Sequence, residues 1–298
     1  MKVGLFAPLA NPWATPEYLA TLASGAEERG FDSIWVAEHV VLFDEYASRY
    51  PYAQDGKIPA GGSSGIFEPF TALAFLAAHS STIRLGTGIC LVPQRNPVYT
   101  AKDVAAVDWL SGGRFDFGVG IGWLAEEFQA LDVPFEHRAT RCREYLDVMK
   151  TLWCDDVSEY HGKFYELNAC RQFPKPVQLP HPPIHFGGES DAALRRVADI
   201  GQGWYGFSVA PSALPERLAT LTGLLESNGR ARSDVEVSIC PYLLQEDPAA
   251  YLDTGIDRLI VLALGGTPSD LLKALDGLAE RYLSSTDHRR SEAKPADR

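Results

Sequence analysis

Apolar residues along this chain follow two alternating patterns. Short apolar runs bounded by glycine, proline or polar residues take turns with longer stretches whose apolar positions recur at helical spacing. The first pattern reads as buried strand, the second as amphipathic helix. Residues 3–7 are the first run. Thr15-Pro16-Glu17 then opens a helix with Leu19, Leu22, Ala23 and Ala26 on one face, stopped by Gly30. Residues 33–37 read as the second strand. The pattern next predicts helix 68–80, strand 83–91, helix 98–110 stopped by Gly112-Gly113, and strand 115–119. Helix 138–153, strand 184–186, a helix capped by Ser190 and closed by Gly201, strand 204–209 and helix 214–228 follow. Strand 235–240, a short helix from Pro248, strand 259–264 and helix 269–282 complete the alternation.

Roughly eight strand–helix units at this length predict an α/β fold, a (β/α)8 TIM barrel. A doubly wound sheet is the competing arrangement. It is disfavoured because no Gly-x-Gly-x-x-Gly follows the first strand and the spacing stays regular to the end. Two long connections are expected as insertions, after strands two and four. The first, 40–67, carries Tyr46, Tyr50, Tyr52 and Gly61-Gly62-Ser63-Ser64-Gly65. It leaves the barrel face that holds active sites, so it is either a lid or an idle surface loop. The second, 154–183, reads as an excursion from the barrel. One domain over 1–283 is expected, with a disordered polar tail over 284–298.

The net charge of −12 and a pI near 5.0 argue against a nucleic-acid or membrane-surface binder. The N-terminal apolar run, broken by Pro8 and Pro12, is too short for a signal segment. No run approaches the ~20 residues of a membrane span, so a cytoplasmic protein is expected. Five scattered cysteines without Cys-x-x-Cys read as reduced thiols. Most of the histidines lie far apart in sequence, which disfavours a metal site, and neither a Gly-x-Ser-x-Gly elbow nor a Walker loop occurs.

In a barrel the chemistry follows each strand. Glu38 and His39 close the second strand, where a carboxylate and an imidazole are poor core material. Gly118, Gly120 and Gly122, then Trp123 and Glu126, follow the fourth; the glycines admit a flat ring or a close backbone. Gly187-Gly188-Glu189-Ser190 joins the fifth strand to a helix start and is a candidate phosphate cradle, with Glu189 an awkward neighbour for an anion. Gly265-Gly266-Thr267 competes for that role.

At this point the chain resembles the luciferase-like monooxygenase family. The most specific block is RLGTGICLVPQRNPVYTAKDVAAVDWLSGGRFDFGVGIGW, residues 84–123, supported by GFDSIWVAEH and FPKPVQLPHPPIHFGG. The resemblance covers 1 to about 283 and implies the barrel found independently above. It is closer to the deazaflavin (coenzyme F420) oxidoreductases than to the flavin mononucleotide (FMN) monooxygenases.

That likeness implies hydride transfer between F420 and a small organic substrate in a homodimer, with FMN-dependent monooxygenation as the alternative and a non-catalytic cofactor binder as a third reading. It implies a non-prolyl cis peptide at Gly88–Ile89 behind the ring, and the cofactor phosphate near Gly187-Gly188. It also places Glu38-His39 on the reactive face. His39 is then the expected proton donor or acceptor, with Glu38 orienting it or bonding the cofactor, and Glu126 a second acid–base candidate. Arg95, Lys57, Arg138 and Arg141 are the candidate cations for the anionic cofactor. One departure is Gln202-Gly203-Trp204, where family members often carry Asp-Gly-Trp.

Overall fold

Eight parallel staves close into a barrel in the computed structural model, which describes residues 1–59, 65–242, 244, 247–251 and 253–283. The glycine–serine run at 61–64 and the tail at 284–298 lie outside the described residues. In chain order the strands are β1 Lys2–Phe6, β2 Ser33–Val36, β3 Arg84–Thr87, β4 Cys90–Leu91, β5 Phe115–Gly120, β6 Ser158–His161, β7 Glu166–Cys170, β8 Ile184–Gly187, β9 Gly203–Phe207, β10 Glu236–Cys240 and β11 Arg258–Leu262. The helices are α1 Pro16–Glu28, α2 Pro69–Ala78, α3 Pro97–Leu110, α4 Ala125–Ala130, α5 Arg138–Cys154, α6 Asp191–Ile200, α7 Leu214–Ser227 and α8 Pro268–Tyr282. The sheet runs β3-β2-β1-β11-β10-β9-β8-β5, and pairing of β3 with β5 closes it.

The expected helix starts are real. Thr15, Ser190 and Thr267 each accept a backbone N–H as N-cap residues. The third stave departs from the continuous strand read from its apolar run. It breaks at Gly88–Ile89, which is a cis peptide, and β4 continues it against β5. The second insertion contains an antiparallel hairpin, β6 with β7. The short helix expected from Pro248 is a single 3-10 turn.

The barrel interior alternates very large side chains with glycine, the arrangement that lets inward layers interlock. At the N-terminal end Arg258, 1% exposed, pairs with Asp32 and Glu236. Beside it Asp116 pairs with Arg84. Burying these charges is tolerable because each is matched. Above them sit Trp35 and Tyr205, 5.2 Å between ring centroids. Gly86 makes the room: a Cβ there would lie 2.5 Å from the Trp35 ring. The upper layer is Phe6, Ile89, Phe207, Tyr242 and Leu262, which floors the mouth. No described helix is long and apolar enough to cross a membrane, and all five cysteines are free thiols.

Candidate active site

Glu38 and His39 leave the end of β2 in different directions. Glu38, 4% exposed, accepts from the Leu91 N–H at 2.5 Å and from Arg95 Nε at 2.6 Å. Arg95 also reaches Glu68 at 2.6 Å and lies over the Phe70 ring. Glu38 thereby ties β2 to β4 and to the start of α2, and it makes no contact with His39.

His39 turns instead to Glu127 on α4, with Nδ1 3.1 Å from Oε2. Glu127 is fully buried and also accepts from Gln94 Nε2 at 3.0 Å and the Val40 N–H at 2.6 Å. Burial pushes its carboxyl up, but the bonds from His39, Gln94 and Val40 outweigh that and leave it below the ordinary range. An ionised carboxylate at Nδ1 orients the imidazole and favours the Nδ1–H tautomer, which leaves Nε2 for a ligand. Glu127 is the partner of His39 that the sequence reading missed. Leu124 and Phe128 mark the buried face of α4, and Glu127 stands beside them; that spacing was the available signal.

Glu126 points the other way and holds the first insertion. Its Oε1 accepts the N–H groups of Ala47 and Ser48 at 2.6 and 3.1 Å. The Ser48 hydroxyl in turn accepts the Ala125 N–H at 3.0 Å. Burial works against this carboxylate, but the Ser48 and Ala47 bonds prevail and lower its pKa to about 2. From this clip the loop crosses the mouth. Tyr50 packs edge-on to Trp123 and Tyr52, at 5.2 and 5.4 Å, and Tyr52 to Phe207 at 4.9 Å. Trp123 also meets His39 edge-on at 5.8 Å. At the far side the Tyr52 hydroxyl donates to Glu189 at 3.0 Å. The other Glu189 oxygen accepts the Phe207 N–H at 2.8 Å. Burial pushes the Glu189 carboxyl up. The acid that looked awkward beside a phosphate is therefore bonded to Tyr52 of the loop and to β9.

The glycines at the mouth are explained by one side chain. A Cβ at Gly187 would lie 2.5 Å from Ile89 Cδ1, and one at Gly120 would overlap the same group. Both positions make room for Ile89 beyond the cis Gly88–Ile89 peptide. Gly122 (φ +77) and Gly188 (φ +103) occupy left-handed turns that favour glycine. The rival turn at Gly265 packs against the start of α8. There Thr267 and Asp270 already bond each other, so an acid stands where an anion would bind.

A family model for luciferase-like monooxygenases matches residues 1–295. The chain belongs to that family. An uncharacterized protein of Mycobacterium tuberculosis is 33% identical to this luciferase-like chain over 205 residues, 68% of this chain and 71% of that one. Among solved structures, the monooxygenase RslO1 from Streptomyces bottropensis superposes with a TM-score of 0.77 at 22% identity, covering 96% of this chain and 100% of that one. The coenzyme F420 dependent tetrahydromethanopterin reductase from Methanopyrus kandleri gives 0.73 at 18% identity, covering 96% and 99%. These two likenesses establish the luciferase-like barrel fold.

Within this luciferase-like barrel the four candidate cations differ in what already engages them. Arg95 is paired with Glu38 and Glu68. Lys57 sits 4.0 Å over the Tyr46 ring. Arg141 bonds the carbonyls of Pro93, Pro134 and Glu136. Arg138 donates to the Gly122 carbonyl at 3.0 Å. Near Arg138 stands Arg196 of α6, which nothing in the amino-acid pattern separates from Arg195. Its Nε is buried without a partner. Burial pushes both guanidinium groups down; the Arg141 charge adds to this at Arg138, while at Arg196 the Cys142 thiol works against it and the Arg138 charge adds to it. Among the described residues neither forms a carboxylate ion pair. Gln202, in the place of the family's usual acid, accepts the Ile184 N–H at 3.0 Å and donates to the Ile200 carbonyl at 3.2 Å. Its role is to brace the turn between α6 and β9. No cluster with metal-ligand geometry occurs among the described residues.

Proposed function

We propose that this luciferase-like oxidoreductase transfers a hydride between coenzyme F420 and a small organic substrate. The observation that carries the reading is the His39–Glu127 pair after β2, together with Arg138 on the Gly122 carbonyl and its neighbour Arg196, neither of which is paired with a carboxylate among the described residues. Those residues fit an anionic, flat-ringed cofactor. Arg196, with its buried unpartnered Nε, and Arg138 would hold the phosphate and acidic tail, with the Gly187-Gly188 turn and Ser190 at the start of α6. Ile89 would back the ring, with Gly120 and Gly122 alongside.

Deazaflavin, when bound, supplies the hydride chemistry at its ring carbon. The protein's part is the proton and the enclosure. His39 Nε2 takes or gives the substrate proton, and Glu127 holds the ring in place and balances the imidazolium as it forms. Trp123 and the tyrosines of the loop exclude water. In this reading Glu38 and Glu126 are positioning residues. Glu38 anchors the end of β2, and Glu126 anchors the loop.

Reduced FMN in the same site is the second reading, favoured by the family's description as monooxygenases. Titrating the apo-protein with each cofactor, followed by cofactor fluorescence, separates them. F420 is expected to bind at least about tenfold more tightly than FMN, a difference of about 1.4 kcal/mol. Arg138→Ala and Arg196→Ala should each weaken it. Tight FMN binding without F420 binding would contradict the cofactor assignment.

A further inference from the structure

We propose that the substrate is a flat, uncharged, largely apolar molecule, held over the cofactor in an aromatic box of Tyr50, Tyr52, Trp123, Phe207 and Tyr242. The inference rests on the oxidoreductase reading and adds the substrate class to it.

The first support is geometric. Tyr50 meets Trp123 and Tyr52, and Tyr52 meets Phe207, all edge-to-face at interplanar angles of 64–73°. Phe207 continues to Tyr242 at 5.4 Å. Aromatic rings prefer this arrangement, and a flat guest can enter the same set of contacts. Phe207 closes β9, and Trp123 and Tyr242 follow the ends of β5 and β10, whereas Tyr50 and Tyr52 come from the loop. The box is therefore completed by the loop.

The second support is electrostatic. Burial comes first in raising the phenols of Tyr50 and Tyr52, and their ionisable neighbours add to it: Glu189 for both, and Cys240 and Tyr242 for Tyr50. Glu189 is the one carboxylate among them. An anionic guest would lose its hydration beside that acid, and the nearby imidazole of His39 is already paired with Glu127. Glu189 does not invite a cation either, because both its oxygens already accept hydrogen bonds from Tyr52 and Phe207.

The third support is an unmatched polar group. The hydroxyl of Ser208, which follows the box wall Phe207, is buried without a hydrogen-bond partner. Its residue is held at φ +54, a conformation that costs a non-glycine residue free energy and is concentrated at ligand sites. A carbonyl oxygen on an otherwise apolar guest would satisfy it.

The test uses 2-acetylnaphthalene, 2-naphthoate and (2-naphthyl)trimethylammonium as neutral, anionic and cationic probes of one shape. Binding to apo and F420-loaded protein is read by equilibrium dialysis, with F420 affinity measured in parallel. The ketone should bind at least about tenfold more tightly than either ion. Tyr50→Leu should cost it about tenfold and Tyr50→Phe almost nothing, since the phenylalanine keeps the ring contacts. Naphthoate or the ammonium probe matching the ketone would overturn the proposal. So would a ketone affinity indifferent to Tyr50→Leu in folded protein, or no ketone binding at all. If the ketone binds as expected and F420 does not, the box stands and the cofactor assignment falls.

Discussion

Replacing His39 by alanine is expected to lower turnover of reduced F420 with an aromatic ketone by roughly 10²–10⁴-fold, the usual contribution of a positioned proton-transfer group. F420 affinity should change by less than about threefold, a shift well under 1 kcal/mol, because Arg138 and Arg196 are assigned to the cofactor's charge. The companion variant is Glu127→Gln. It keeps a hydrogen-bond acceptor near Nδ1 but removes the charge that balances the imidazolium. Turnover should fall by at least about tenfold with little change in KM. The two effects should not add, since Glu127 acts only through His39. Full turnover in His39→Ala would remove His39 from the proton-transfer role, and wild-type protein that binds F420 without any turnover would favour the non-catalytic reading.

Glu38, the other half of the pair that closes β2, should behave in the opposite way. Glu38→Ala leaves the Leu91 N–H without its acceptor and removes one of the three carboxylates paired with Arg95. Breaking a buried pair of this kind costs about 3–5 kcal/mol, read as a drop in urea midpoint at unchanged slope. Replacing both partners, Glu38→Met with Arg95→Leu, should recover much of that loss, because the carboxylates then left without Arg95, Glu68 and Asp103, are exposed to water. Turnover per folded molecule should stay within about threefold of wild type, less than the smallest contribution expected of a proton-transfer group. A folded, stable Glu38→Gln protein that has lost turnover would instead make Glu38 a proton-transfer group.

The contrast between these neighbours shows what periodicity can and cannot deliver. Apolar runs and caps located the staves because the barrel strands are largely buried on both faces and α1, α2, α3, α6 and α8 each start at a side chain that caps them. The hairpin of β6 and β7 escaped because most of its residues are exposed or half-buried, so no apolar run announces it. The break at Gly88–Ile89 was implied by the family resemblance, and no residue pattern marks it. Partners at long separation were invisible: Glu38 finds Arg95 57 residues on, and His39 finds Glu127 88 residues on. A chain read alone shows a charged residue but not the charge that meets it. The same limit made Glu126 the stronger candidate than Glu127, although only Glu127 lies on the buried side of α4. It also hid Arg196, which stands in sequence beside Arg195 and is distinguished from it only by the fold.

The loop over the mouth illustrates a second limit. Its tyrosines were legible as composition, but their task depends on what they meet. The clip at Glu126 and the bond to Glu189 attach the loop to both sides of the barrel mouth, and Trp123 connects it to His39. One short helix thus supplies both the acid that holds the loop and the acid that orients the imidazole.

The central claim is that His39 faces the reactive carbon of a deazaflavin ring seated above Ile89. A crystal structure of the F420 complex tests it directly. The account predicts the ring against Ile89, the phosphate at Arg138 and Arg196, and His39 Nε2 close enough to the substrate side of C5 to pass a proton, about 3–4 Å or one bridging water. A ring bound elsewhere in the mouth, with His39 remote from C5, would contradict it.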